Sequence, residues 1–313
     1  MLYPHRVRWS DGRFANVDGI PFEMPVGTHD TPALFAGFPI DAGRARAVLP
    51  GRELHPCRIG DRGVLIVAVV NYLHTTIGRY VEFCIGILCT RGRSPAPPFL
   101  PLALQRVFGT GVYIYDLPVS TEISVKGGLG IWGMPKRRAS LDFLIEERTV
   151  SSQYDLDGEL VIRIDVPRSE PRFPLFMRGV GYGDFRGMLT KSYIHLRGRV
   201  GLTLMTQSGV SLLLGDHPRI EPIRELDVDP RPIFTGFVPA MAGVLDDHVE
   251  TWFQISDGPP GPPSVGLKEV IDLGLGQEWL DPPDRVHSDR LMRELSPRKR
   301  VARREAGARK EGS

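Results

Sequence analysis

A β-rich α+β domain is the fold class that the 313-residue sequence predicts, on three observations. First, 35 glycines and 28 prolines make up about a fifth of the chain and cut it into short runs rich in Val, Ile, Phe and Tyr, the pattern of strands separated by turns. Second, those runs follow one another closely. Third, helical periodicity is confined to three short pieces, so strands do not alternate with helices of about 10–15 residues as a doubly wound sheet requires.

Taken in order, residues 41–49 carry a helical spacing of apolar side chains. Residues 64–70 are an unbroken apolar run that stops at Asn71. That length suits a buried strand and falls far short of the roughly 20 residues of a membrane helix. A strand over 80–88 follows, then a helical piece over 100–108. Strands are expected at 112–117, 119–125, 139–146, 159–166, 192–205 and 210–214, and a third helical piece at 240–248. The Gly-Pro-Pro-Gly-Pro-Pro run within 257–264 can hold neither a helix nor a central strand, because proline lacks an N–H and fixes φ. It is read as a stiff linker that closes a main domain of residues 1–256. Residues 265–313 form a C-terminal extension in which 284–295 can make a short helix and 296–313 a disordered tail.

Charge divides the same way. From 281 to 313 ten Lys and Arg face six Asp and Glu, a net of +4, which leaves −2 on residues 1–280. The tail has cationic clusters at Arg298, Lys299, Arg300, Arg303 and Arg304, but no interleaved aromatic side chain for base stacking, so a solvated tail is favoured over a nucleic-acid site. The N-terminus shows no apolar signal segment, and three cysteines, 57, 84 and 89, make no disulfide framework. A cytoplasmic protein with reduced thiols is expected.

Several chemistries lack their residues. The eight histidines are dispersed and none has a ligand spacing such as H-E-x-x-H; Asp216, His217 and Glu221 lie among prolines and read as a loop, so no metal is expected. No serine lies in a G-x-S-x-G elbow. Gly128, Gly130 and Gly133 satisfy G-x-G-x-x-G, but that motif works by opening a helix onto a pyrophosphate, and Met134-Pro135 disfavours a helix starting there. No cofactor is expected. Glu122 and Lys126 are read as sharing one face of the strand that leads into this stretch.

The remaining signal is Lys136. Only six of the 39 cationic side chains are lysines, so a lysine in the apolar, glycine-rich stretch Ile131-Trp-Gly-Met-Pro-Lys136-Arg137-Arg138 asks for an explanation. A lysine attacks a ketone only when neutral, and at a reference pKa near 10.4 only about one in 2,500 is neutral at pH 7. Bringing that pKa to about 7 takes roughly 4–5 kcal/mol, and burial and a neighbouring cation both act in that direction. Arg137 can be that cation, and it cannot compete as the nucleophile because it stays protonated. An ordinary surface Lys-Arg-Arg turn is the simpler reading of the same residues. Glu82 is open in the same way: it is either a solvent-facing residue or a pocket group sharing its face of a strand with Tyr80 and Cys84.

Trp-Gly-Met-Pro-Lys136-Arg resembles the Pro-Lys-Lys active-site motif of the acetoacetate decarboxylase family, and Gly78-Arg-Tyr80-Val-Glu82 is similar to that family's Gly-x-Tyr-x-Glu stretch. Order and spacing agree over about residues 25–255. The resemblance implies a cone-shaped β-barrel, homo-oligomeric assembly, and a lyase in which Lys136 forms a Schiff base with a keto acid, with Arg137 at the position of the motif's second lysine and Glu82 as a pocket carboxylate. Activation of such a lysine by desolvation or an adjacent cation is the known device of this family. The chain departs from the pattern in three places. It has no arginine in 27–35, no glutamate in 64–70, and Gly-Leu-Gly where the family has Gly-Arg-Glu. The expected chemistry is therefore decarboxylation of a β-keto acid, with aldol or dehydratase chemistry on another keto substrate, or a non-catalytic small-molecule-binding barrel, as alternatives.

Overall fold

The structure, a computed structural model, describes residues 13–205, 209–256 and 258. The linker at 257–264, the helix at 284–295 and the basic tail lie outside the described residues, apart from Gly258. Among the described residues no helix is long and apolar enough to cross a membrane.

The chain opens with a hairpin of β1 (Phe14–Val17) and β2 (Ile20–Glu23), then the long β3 (Val26–Asp41). Helix α1 (Ala42–Val48) follows, capped by the Asp41 carboxylate, which accepts from the Arg44 N–H at 2.7 Å. Next come β4 (Leu54–Pro56), β5 (Arg62–Tyr72), the short β6 (His74–Thr75) and β7 (Tyr80–Arg91). Helix α2 (Leu100–Ala103), β8 (Gly111–Val119), helix α3 (Glu122–Trp132) and β9 (Lys136–Arg138) complete the first half. The small strands β10 (Ser140–Leu141) and β11 (Leu144–Ile145) precede β12 (Thr149–Leu156), β13 (Glu159–Pro167), β14 (Phe173–Phe185) and β15 (Met188–Leu204). After β16 (Ser211–Leu214) a 3-10 turn (Pro218–Ile220) runs into α4 (Glu221–Arg224), and β17 (Phe234–Phe253) ends the described fold.

The large sheet has the order β4-β7-β5-β3-β17-β15-β14-β8-β9, and the added β7–β8 pairing closes seven of its strands into a barrel. Closure removes the free edges that an open sheet would expose. A second sheet, β10-β12-β13-β16 with β11 beside β12, packs against one face of the barrel wall. Alternation along β5 and β7 sends Leu65, Val67, Val69, Phe83, Ile85 and Ile87 to that face, where they meet Tyr154, Ile162 and Ile164 in the main core. The opposite face carries Val70, Tyr72, Tyr80 and Cys84, which pack into two smaller clusters with Leu117, Val119 and Val125.

The β-rich expectation holds, with three corrections. Residues 119–125 split between the end of β8 and the start of α3, because three glycines in the following turns weaken the helical signature while tertiary packing keeps the helix. Residues 240–248 lie inside the 20-residue β17, where a strand with register shifts mimics helical spacing. The helical piece at 100–108 contracts to one turn, α2.

Candidate active site

Lys136 begins β9, which pairs in parallel with β8 so that Leu117 stands opposite Lys136 and Pro118 opposite Arg137. Neighbouring residues of a strand face opposite ways. Lys136 therefore points to the face carrying Tyr80 and Glu82, and Arg137 to the other. Its Nζ lies 2.6 Å from Glu82 Oε2, with the two side chains 5% and 15% exposed, so the lysine is no surface turn. Nζ also donates to Ser124 Oγ at 3.2 Å and sits 5.4 Å from the Tyr80 ring centroid. Glu82 accepts from the Tyr72 hydroxyl at 3.3 Å, and the Tyr72 and Tyr80 rings stack 4.5 Å apart.

Helix α3 forms the roof of this site and supplies Ser124. Its glycines are needed for contact. A Cβ at Gly128 would stand 2.7 Å from Lys136 Cε, with Cδ nearer still, so the lysine stem crosses the helix where only a hydrogen fits. Gly133 caps the helix in the left-handed region, φ 64°, and lets the chain turn into Met134 and Pro135. The G-x-G-x-x-G run thus ends a helix, as rejection of the dinucleotide reading requires. Glu122 and Lys126 lie on α3 instead of a strand, and Lys126 pairs with Asp18 of the β1–β2 turn at 3.1 Å.

Burial leaves the surrounding hydroxyl and thiol groups protonated. Desolvation, reinforced by the Glu82 charge, pushes Tyr72 and Tyr80 well above the ordinary phenol range. Desolvation and then Glu82 and Asp116 push Cys84 up to about 12, against a smaller opposing pull from Lys136. An amine, one carboxylate and a set of neutral O–H and S–H donors are therefore gathered at one place. Such a set can move a proton between nitrogen and carboxylate while holding a carbonyl oxygen.

Arg137 has a carboxylate partner of its own. Its Nε donates to Asp116 Oδ1 at 3.0 Å, Arg219 Nη2 donates to the same oxygen at 3.0 Å, and Tyr154 Oη donates to Oδ2 at 3.2 Å. Asp116 is fully buried. Residue type and motif pointed to Lys136, Arg137 and Glu82; Ser124, Tyr72, Asp116 and Gly128 were missed. Asp116 had a signal, a lone carboxylate amid the apolar residues of an expected strand, which must find partners if buried. The other three depend on chain reversals that no local pattern encodes.

The acetoacetate decarboxylase (ADC) family model matches residues 15–175, about half the chain. No curated protein matches. Solved structures do. Acetoacetate decarboxylase from Legionella pneumophila superposes with a TM-score of 0.52 at 16% identity, over 71% of this chain and 85% of that one. A second acetoacetate decarboxylase structure gives 0.53 at 14%, over 74% and 91%. The enduracididine biosynthesis enzyme MppR, complexed with pyruvate, gives 0.52 at 14%, over 75% and 92%. At such identities these likenesses establish a common fold.

Proposed function

The chain belongs to the acetoacetate decarboxylase family, and from that premise we propose that it is a carbon–carbon lyase whose Lys136 forms a Schiff base with the ketone of a keto acid. The observation that carries the reading is the buried Lys136–Glu82 pair, 2.6 Å apart, formed between β9 and the barrel strand β7 beneath a helix that makes room for the lysine stem. A buried lysine with a single carboxylate beside it has the two functions this chemistry needs, a nucleophile and a proton carrier.

In this reading Glu82 takes a proton from Nζ, and the nitrogen lone pair adds to the carbonyl carbon while an N–H proton passes to the carbonyl oxygen. Glu82 returns its proton to that hydroxyl, so that water leaves and an iminium remains. When the bond from the α-carbon to the carboxylate breaks, its electron pair moves into the iminium, carbon dioxide departs and an enamine remains. A new proton from water, relayed through Glu82, goes to the enamine carbon, and water then hydrolyses the resulting iminium and frees Lys136. Tyr72, Tyr80 and Ser124 hold the carbonyl oxygen and the nitrogen in place. Arg137 is the adjoining cation, and its anchorage to Asp116 keeps β9 turned so that Lys136 meets Glu82.

Aldol or dehydration chemistry on another keto acid uses the same iminium and enamine. It is favoured by the residues that β5 sets beside the site, Ala68 opposite Cys84 and Val70 opposite Glu82, which bring no second carboxylate. MppR, whose fold this chain shares, is seen with pyruvate. Carbon-13 NMR of carboxyl-labelled β-keto acids, and of pyruvate with an aldehyde, tests both. Carbon dioxide release or a condensation product, lost in Lys136→Ala, is expected; no turnover of any substrate, with wild type equal to the variant, would leave a binding barrel. Homo-oligomeric assembly and a cytoplasmic location go with the lyase reading, and size-exclusion chromatography with light scattering checks the first.

A further inference from the structure

Away from Lys136, β3 and β6 pair so that His29 stands directly opposite His74 and Thr28 opposite Thr75. Forty-five residues separate the two histidines in sequence, which is why no ligand spacing announced them. Their rings stack 4.7 Å apart at 11°, and the His29 Nδ1 and Asp30 Oδ2 atoms are 3.1 Å apart. Asp30 lies in the left-handed region, φ 51°, where aspartate is better tolerated than most residues. One donor atom from each of His29, Asp30 and His74 lies within 4.8 Å of the other two, and all three residues are exposed.

We propose that His29, Asp30 and His74 form a binding site for a divalent transition metal of the zinc, copper or nickel class. Two imidazoles and one carboxylate are the ligand types these ions select, and calcium and magnesium, which prefer all-oxygen sets, are disfavoured. Donors held 2.0–2.1 Å from a tetrahedral zinc stand roughly 3.3 Å apart. The cluster therefore has to contract by about 1.5 Å at most, within reach of small side-chain rotations at exposed positions. The strand pairing has already set the backbone, and Thr28 Oγ1 fixes it further by donating to the His74 carbonyl at 3.0 Å.

Three protein ligands leave a coordination position open, and here it faces a recess of about 720 Å³ lined by His29 and His74 together with Thr28, Thr76, Arg79 and Arg197. The two arginines oppose a bare dication and favour a metal that carries an anion, so the site takes the metal with a carboxylate or similar anionic co-ligand. Binding would also cross-link β3 to the turn between β5 and β7, and that turn leads into Tyr80 and Glu82.

Isothermal titration of the full chain with zinc chloride, in acetate and in chloride-only buffer, tests the site beside His29→Ala, Asp30→Asn and His74→Ala, with His248→Ala as a control for unrelated surface imidazole. One site per chain is expected, weakened at least about tenfold in each of the three variants, unchanged in the control and tighter in acetate. Copper substitution should show two coupled nitrogens in the electron paramagnetic resonance spectrum of the wild type and one in either histidine variant. Unmeasurable zinc binding, or binding and copper spectra that survive the loss of His74, would overturn the proposal. The thermal midpoints of the metal-free variants, expected to equal that of wild type, separate loss of ligands from loss of fold.

Discussion

Two buried charge clusters sit back to back about β9, which pairs with the barrel strand β8, and they are built differently. On one face the Asp116 carboxylate is filled: Arg137, Arg219 and Tyr154 all donate to it, and its residue is fully buried. On the other, Lys136 has Glu82 and Ser124, and Glu82 has one further donor from Tyr72. A buried carboxylate held by three donors is costly to disturb and has little left to offer a ligand. A buried pair with spare capacity is also costly, and such pairs persist where chemistry uses them. Under the proposed function the contrast divides the work between adjacent residues: Lys136 would react and Arg137 would hold the strand.

Removing one partner from each cluster separates these roles. Glu82→Gln keeps the shape of the reactive face but removes its proton acceptor, and kcat is expected to fall about 10²–10⁴-fold with the fold intact, as steady-state kinetics beside a thermal melt will show. Asp116→Ala leaves two guanidinium groups facing a cavity on the structural face. It should cost about 3–5 kcal/mol in urea unfolding, and a near-neutral result would show that the cluster is no anchor.

A single methyl group sharpens the comparison further. Gly128→Ala sets a Cβ against the Lys136 stem, so the side chain must move away from Glu82 or the helix must lift. Destabilisation of about 1–3 kcal/mol is expected, with a loss of kcat larger than that implies, whereas the same substitution at the open Gly158 turn would touch only stability.

The smallest effect marks the outside of the molecule. Side-chain and backbone hydrogen bonds from Arg231 lower Asp229 to about 2. A depressed carboxyl stabilises the fold above its unfolded value, near 4, and loses that contribution as pH falls through about 2. Arg231 is exposed, so solvent screening keeps the effect slight; an Asp229→Asn melt should match wild type at pH 2 and fall just below it at pH 6.

Legibility in the sequence followed the same division between local and distant causes. Residues 64–70, 80–88, 112–117 and 159–166 declared themselves as strands because β-branched runs bounded by turns need no tertiary information. Lys136 and Glu82 were legible as a motif and a resemblance. Helix α3 was not, since its glycines are there to let Lys136 and the N-terminal hairpin approach, a reason that lies outside the helix. Nor was β17, in which bulges opposite β15 and β3 disturb the two-residue alternation. Asp116 and Ser124 come to their sites through β8 and α3 packing against distant strands, and only Asp116, a carboxylate amid apolar residues, hinted at a role.

Borohydride trapping tests the central claim most directly. The full chain is incubated with acetoacetate, pyruvate and other keto acids, reduced, weighed intact and mapped by peptide mass spectrometry beside Lys136→Ala. The account predicts one reduced adduct per chain, on Lys136 and absent from the variant. An adduct on another lysine, or equal labelling of wild type and variant, would contradict it.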